Sequence, residues 1–111
     1  MNNVFGRNGM NTLVLERECL VCTVGFSKDS LFVDLSDGRR ICIPLAWYPR
    51  LLHATRQERE QYEMIGDGEG IHWPELDEDI SVEGILAGRS SQESQPSLQK
   101  WIKARNNVSN R

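Results

Sequence analysis

The fold is decided by residues 31 to 43, which read Leu31-Phe32-Val33-Asp34-Leu35-Ser36-Asp37-Gly38-Arg39-Arg40-Ile41-Cys42-Ile43. Two alternating apolar stretches flank Asp37-Gly38, a dipeptide typical of a tight turn between antiparallel strands. A two-residue loop would place Asp34 opposite Ile41 and would mix polar with apolar side chains on both faces. A three-residue loop with Gly38 in the left-handed conformation places Val33 opposite Ile41, which leaves one face apolar. We therefore expect a hairpin with the second register.

A strand is expected before the hairpin and a short helix after it. Apolar residues recur at every second position of the preceding segment, so we expect one face to carry Leu20, Cys22, Val24 and Phe26. Pro44 ends the last strand of the hairpin because proline has no N–H to donate. Residues 45–54 are typical of a short helix, which begins near Trp47 when Pro49 lies in the first turn.

The rest of the body alternates between helix and loop signals. Thr55 and Glu58 form a capping box that predicts a helix to about Ile65, and the glycines of residues 66–70 end it. Two more elements are expected, an edge strand at 71–73 and a last helix at 81–87 that ends at Gly88. Together these elements predict an α+β fold, in which a small antiparallel sheet of about three to four strands packs with two or three short helices.

Length and charge divide the chain into three parts. The chain has 111 residues, of which 39% are hydrophobic, enough for one modest core. Residues 1–88 carry a net charge of −7 and residues 89–111 a net charge of +4, which together give −3. We expect a poorly predictable N-terminal segment at 1–18, an α+β domain at 19–88, and a Ser/Gln-rich linker with a basic tail at 89–111.

Membrane insertion and export are not expected. No apolar run approaches the roughly 20 residues that a membrane-spanning helix needs. The first residues lack the basic and then apolar pattern of an export signal. The three cysteines are an odd number, which favours reduced thiols over a disulfide framework. These features predict a cytoplasmic protein without a membrane partner.

No catalytic residue, metal site or cofactor is expected. No serine, cysteine or lysine nucleophile stands in an activating motif. Cys19 and Cys22 have the spacing of zinc ligands, but an extended strand would direct their thiols to opposite faces. His72 lies near the acidic residues 75–79, which could bind a hard metal or exchange protons. Stabilisation of the following helix N-terminus explains those acids better.

Two long motifs connect the chain to a known family. They read DGRRICIPLAWYPRL at residues 37–51 and GDGEGIHWPELDEDIS at residues 66–81. From about Leu20 to Gly88 the sequence resembles a family of small bacterial proteins known as domain of unknown function 2442. The resemblance implies a small α+β protein, in a family sometimes joined to a helix-turn-helix domain and often encoded beside another small protein. That arrangement suggests toxin–antitoxin or regulatory pairs, and no enzyme activity follows from the resemblance.

The first functional hypothesis is a non-enzymatic protein-interaction or regulatory module, antitoxin-like, that binds a small neighbouring protein. Aromatic and arginine side chains dominate binding hot spots, so residues of these types at the domain rim are the candidates, unless the aromatic ones fill the core. The predicted partner-binding residues are Arg39, Tyr48, Arg50 and His72.

The alternative hypothesis is a nucleic-acid-associated regulator that uses the basic tail. Leu98, Trp101, Ile102 and Arg105 lie at helical spacing, which predicts a short basic amphipathic helix, whereas a solvated, unfolded tail is the other possibility. Basic side chains could hold phosphates while the indole stacks on a base. The predicted nucleic-acid-binding residues are Lys100, Trp101, Lys103 and Arg105.

Overall fold

The computed structural model describes residues 19–109. Its strands are β1 (Val21–Phe26), β2 (Ser30–Leu35), β3 (Arg40–Pro44), β4 (Glu63–Ile65), β5 (Gly70–Trp73) and β6 (Glu78–Ser81). Its helices are a 3-10 turn (Leu45–Trp47), α1 (Pro49–Leu52), α2 (Arg56–Glu60), α3 (Val82–Leu86) and α4 (Gln95–Ser109). The strands form two antiparallel sheets in the orders β1-β2-β3 and β4-β5-β6. The predicted α+β class is confirmed, with the strands divided between two small sheets.

The predicted hairpin is confirmed in its register. Val33 lies opposite Ile41 in the β2–β3 pair, and Leu35 pairs with Arg39, which leaves residues 36–38 as the loop. The Leu35 N–H donates to the Arg39 carbonyl oxygen at 2.8 Å and closes that loop. Gly38 has a φ of +97°, the left-handed conformation that the turn requires. An apolar face therefore results, as the pattern indicates.

The first strand contains a bulge that the alternation does not predict. Val21 lies opposite Leu35 and Thr23 opposite Asp34, so Cys22 is an extra residue in β1. The bulge buries Val21 and leaves Cys22 exposed. The prediction that Leu20 and Cys22 share the apolar face of Val24 and Phe26 is therefore wrong, because Val21 takes that place.

The helical segment begins as predicted and ends earlier. Pro49 occupies the first turn of α1. The capping box is present, since the Thr55 hydroxyl accepts from the Glu58 N–H at 3.1 Å and the Glu58 carboxylate accepts from the Thr55 N–H at 2.8 Å. A helix to Ile65 was wrong: α2 ends at Glu60, because residues 63–65 pair with β5 as β4 instead.

The second sheet differs most from the prediction. Residues 71–73 do not form an edge strand, since β5 lies between β4 and β6. β6, at residues 78–81, was not predicted. After it, the Ser81 hydroxyl accepts from the Gly84 N–H at 2.9 Å and starts α3, and Gly88, at a φ of +74°, follows its end. α4 begins at Gln95, within the segment predicted as a linker.

The core lies where the two sheets and the short helices meet. Its fully enclosed side chains come from both halves of the domain: Leu31, Val33, Leu45, Leu51, Ile71, Trp73 and Leu76. The Trp73 indole N–H donates to the Arg59 carbonyl oxygen at 3.0 Å, so the buried polar atom has a partner. Trp47, by contrast, is 37% exposed. Within residues 19–109, no helix combines the length and the apolar character that crossing a membrane requires.

Candidate partner-binding groove

Two predicted partner-binding residues lie inside the domain. Tyr48 is 4% exposed, and its hydroxyl donates to the Arg89 carbonyl oxygen at 2.9 Å. The Arg50 guanidinium binds the Glu93 carboxylate, with Nη2 at 2.6 Å from Oε2, and it donates to the Leu76 carbonyl oxygen at 2.9 Å. The hydrogen bond from Arg50 lowers the pKa of the Glu93 carboxyl. Both residues therefore attach the segment after α3 to the body.

The other two predicted residues are more exposed but lie on different sheets. Arg39 follows the β2–β3 turn, where it donates to Asp37 at 2.8 Å and to the Cys19 sulfur at 3.3 Å. His72 lies on β5 and shares a hydrogen bond with Asp79, which raises the pKa of the imidazole. The four predicted residues are thus not brought together into one surface.

The predicted nucleic-acid-binding residues divide between two faces of α4. Trp101 lies under two guanidinium groups, that of Arg50 at 5.0 Å and that of Arg105 at 4.6 Å from the ring centre. Arg105 also donates twice to the Glu58 carboxylate, each time at 2.8 Å. Lys100 and Lys103 are exposed on the outer side of the helix. Two of the four predicted residues therefore bind the helix to the body.

The sulfur and carboxylate groups considered for metal binding are dispersed. Cys22 and Cys42 are exposed free thiols, whereas Cys19 is partly buried and donates to Asp37. In the part of the chain that the structure describes, no three His, Cys, Asp or Glu side chains are grouped as a metal ion would need.

A small hollow beside Tyr48 holds a carboxyl group with unusual acidity. The hollow has a volume of about 230 Å³ and is lined by Glu78, Ser90 and Ser91 among others. The pKa of the Glu78 carboxyl is raised to about 7, chiefly by burial; Arg50 opposes this rise, and the neighbouring carboxylates add to it. Burial likewise raises the pKa of the Tyr48 hydroxyl. Glu78 is thus a group that titrates near neutral pH.

A larger groove, which no sequence pattern indicates, runs along the outer edge of β1. Its volume is about 600 Å³. Residues 24–28 form one wall, and the other wall consists of Arg56, Arg59, Glu60 and Tyr62. The two walls are far apart in sequence, so only the folded chain brings them together. We call this feature the β1 groove.

Aromatic rings connect the β1 groove to the core. Phe26 and Tyr62 line the groove, and both rings pack on Trp73, with ring centres 6.4 and 6.3 Å from the indole. Trp73 is itself fully buried. The apolar part of the groove therefore rests on rigid structure, which reduces the entropy that a ligand must overcome on binding.

The β1 groove carries more positive than negative charge. Lys28, Arg56 and Arg59 line it, against the single carboxylate of Glu60. Arg59 is held in place, because it donates to the carbonyl oxygens of Leu51 and Leu52 at 2.9 and 3.1 Å and lies over the Phe26 ring at 5.6 Å. A fixed guanidinium at this position is preorganised to attract an anion.

The backbone of β1 also faces the groove. β1 pairs only with β2 among the described strands. The Ser27 N–H donates to Ser30 at 2.9 Å, whereas the Leu35 N–H is directed to β3. Since hydrogen-bonding direction alternates along an antiparallel ladder, the N–H and C=O groups of Val24 and Phe26 point away from β2. The groove thus combines strand-edge groups, which no other described strand pairs, with aromatic rings and cations.

Two solved structures share the fold. A crystal structure of a protein of unknown function from Rhodospirillum rubrum ATCC 11170 has a TM-score of 0.59 and 26% identity, and the match covers 70% of this chain and 96% of that one. A solution NMR structure of an uncharacterized protein from Chromobacterium violaceum has a TM-score of 0.60, with 95% of this chain and 96% of that one covered. Its identity is 18%, so the likeness concerns the fold alone. No curated protein matches.

A family model agrees with the motifs of the sequence. The family described as "Protein of unknown function (DUF2442)" matches residues 21–91, from β1 to the loop after α3. This range is more than half of the chain and agrees with the resemblance found from about Leu20 to Gly88. The chain therefore belongs to the DUF2442 family of proteins of unknown function.

Proposed function

We propose that the chain is a non-enzymatic protein-interaction module that binds a small protein partner in the β1 groove. The observation behind this proposal is the outer edge of β1 at Val24 and Phe26, where no other described strand pairs, beside Tyr62 and Arg59. Strand edges with unpaired N–H and C=O groups are sites at which proteins add a strand from a partner. Aromatic and arginine side chains are also the types that dominate interface energetics.

This proposal moves the binding site away from the residues that the sequence favours. Tyr48 and Arg50 are occupied by internal contacts with Arg89 and Glu93, so we give them a structural role. An antitoxin-like or regulatory role remains a hypothesis from the family resemblance. The product of a neighbouring gene is then the first partner to test.

A photo-crosslinking experiment tests the site. The photoreactive residue p-benzoylphenylalanine is placed at Lys28, which lines the groove, and at Cys42, an exposed residue on the opposite edge strand, as the control. In the cells that naturally produce the protein, we expect a discrete adduct from position 28 that excess wild-type protein removes. Equal adducts from both positions, or none from position 28, would refute the proposal.

A second candidate function is association with nucleic acid through the outer side of α4. Lys100 and Lys103 are both exposed and three positions apart, hence on one helix face. Two phosphate contacts predict a salt dependence of log K with a slope of roughly −2. The double variant Lys100→Glu/Lys103→Glu should abolish binding to a DNA duplex, whereas Glu83→Gln should not. An affinity that does not change with salt concentration would exclude this function.

A further inference from the structure

We propose that the partner segment of the β1 groove is an extended peptide with acidic side chains, which adds to β1 as a fourth strand of the first sheet. This inference rests on the proposed function of the groove as a partner site. It specifies the conformation and the charge of the segment that binds there.

The backbone geometry requires an extended ligand. Val24 and Phe26 each direct an N–H and a C=O outward, and the two residues are separated by one position. Along a strand that separation is about 6.6 Å, the repeat at which another strand presents matching groups. A helix has already used its backbone groups internally, so it cannot pair with this edge. A nucleic-acid backbone has no N–H to donate to the outward carbonyls.

The charge of the groove favours acidic side chains. Residues 1–88 carry a net charge of −7, yet the groove concentrates Lys28, Arg56 and Arg59 around a single carboxylate, Glu60. Arg56 is paired with Glu60 at 3.2 Å, but its side chain is 92% exposed, so solvent weakens that pair. Carboxylates on an added strand would meet cations on the opposite wall of the groove.

A second copy of the chain is a poorer ligand for the same groove. Symmetric pairing of β1 with β1 would bring the cations of both copies to one interface. Like charges that face each other across paired strands are destabilising. We therefore commit to a different, acidic chain as the partner.

Proline substitution separates edge pairing from folding. Val24→Pro removes an N–H that points outward and leaves the β1–β2 hydrogen bonds in place. Cys42→Pro is the matched control, because Cys42 has the corresponding outward position on the edge strand β3. The fold already accommodates a proline at such a position, since Pro44 lies opposite Ser30 at the end of β3.

The probe is a library of random eight-residue peptides displayed on phage and selected on the full chain. We expect acidic peptides to be enriched on wild-type protein and on Cys42→Pro. The affinity of the best synthesised peptide, measured by fluorescence anisotropy, should fall roughly tenfold or more in Val24→Pro, as expected for a lost main-chain hydrogen bond and its strand register. Circular dichroism checks that each variant is folded.

Several outcomes would overturn the inference. The selection could enrich no peptide, or it could enrich peptides that are no more acidic than the library. Alternatively, Val24→Pro could bind the peptide as tightly as wild type does, or a single-stranded oligonucleotide could bind more tightly than the peptide. If Val24→Pro does not fold, the double variant Lys28→Glu/Arg56→Glu replaces it. Unchanged affinity of this variant for the acidic peptide would then contradict the inference. A crosslinked partner at position 28 without acidic-peptide selectivity would refute this inference while leaving the proposed function intact.

Discussion

Glu58 serves two parts of the molecule with one carboxylate. It accepts from the Thr55 N–H at the start of α2 and receives two hydrogen bonds from Arg105 of α4. Chiefly through the bonds from Arg105, the pKa of the Glu58 carboxyl falls to about 2. The folded state therefore gains stability from Glu58 above about pH 4.5, and this stability is lost as the pH falls towards 2.

Glu78 gives the opposite pH dependence. Burial raises its pKa from 4.5 to about 7, so the folded state holds this proton more tightly than the unfolded chain. The contribution of Glu78 to stability should be largest below about pH 4.5 and should be lost as the pH rises through about 7. Glu78→Gln should be more stable than wild type at pH 8 by about 2 kcal/mol, a value discounted for partial exposure, and by much less at pH 5.

Urea unfolding at pH 5 and pH 8 measures this difference. Glu75→Gln is the control, because Glu75 is exposed on the same segment. At both of these pH values Glu58 is ionised, so it does not contribute to the change. If Glu78→Gln and wild type lose stability equally between the two pH values, Glu78 is not the titrating group.

At the scale of elements, α4 is held to the body by a few apolar and polar contacts. Its contacts with the body include the buried Leu98, the Trp101 ring and the ion pair of Arg105 with Glu58. Arg105→Ala should destabilise the docked helix by about 1 to 2 kcal/mol, because Glu58 loses two charged hydrogen bonds. Hydrogen exchange of the α4 amides reports this change.

The exposed Lys103 of the same helix provides the comparison for Arg105. Lys103→Ala should leave the exchange rates of the α4 amides nearly unchanged. Equal acceleration in both variants would mean that the contact between Arg105 and Glu58 does not hold the helix.

Local sequence signals were sufficient for some elements and not for others. The β2–β3 register could be predicted because the turn and both apolar faces lie within 13 residues, 31–43. The start of α2 followed from the capping box. β4 could not be predicted, because Glu63, Met64 and Ile65 are all exposed and owe their extended state to pairing with β5.

The candidate site was even less accessible to sequence reasoning. The β1 groove joins the edge of β1 to residues near α2, and no local pattern reports that contact. Arg50 was assigned to the rim because its partner, Glu93, lies 43 positions away in a segment with the composition of a linker. Long-range ion pairs of this kind become visible only when the chain is folded.

At the scale of the whole molecule, the two sheets meet at Gly68. The Val21 N–H donates to the Gly68 carbonyl oxygen at 2.7 Å. Gly68 has a φ of +116°, and a Cβ atom there would lie 2.8 Å from the Val21 carbonyl oxygen. Gly68→Ala should therefore destabilise the protein by about 3 kcal/mol, through backbone strain and this steric contact together.

Gly38→Ala isolates the contribution of strain. Gly38 also has a positive φ, +97°, but a Cβ atom there would meet nothing within 4 Å. We expect it to cost about 1 to 2 kcal/mol in the free energy of unfolding by urea. If the two alanine variants were equally stable, the junction of the sheets would not constrain position 68.

Pro44 at the end of β3 limits how the first sheet can grow. A proline has no N–H to donate to an added strand, so the β3 edge of the sheet is a poor template for strand addition. A partner strand that adds at β1 would then not be matched by a second strand at β3, which favours one partner strand per first sheet. Open-ended stacking into fibrils needs two receptive sides, and among the strands that the structure describes the β3 side of the first sheet ends in this proline.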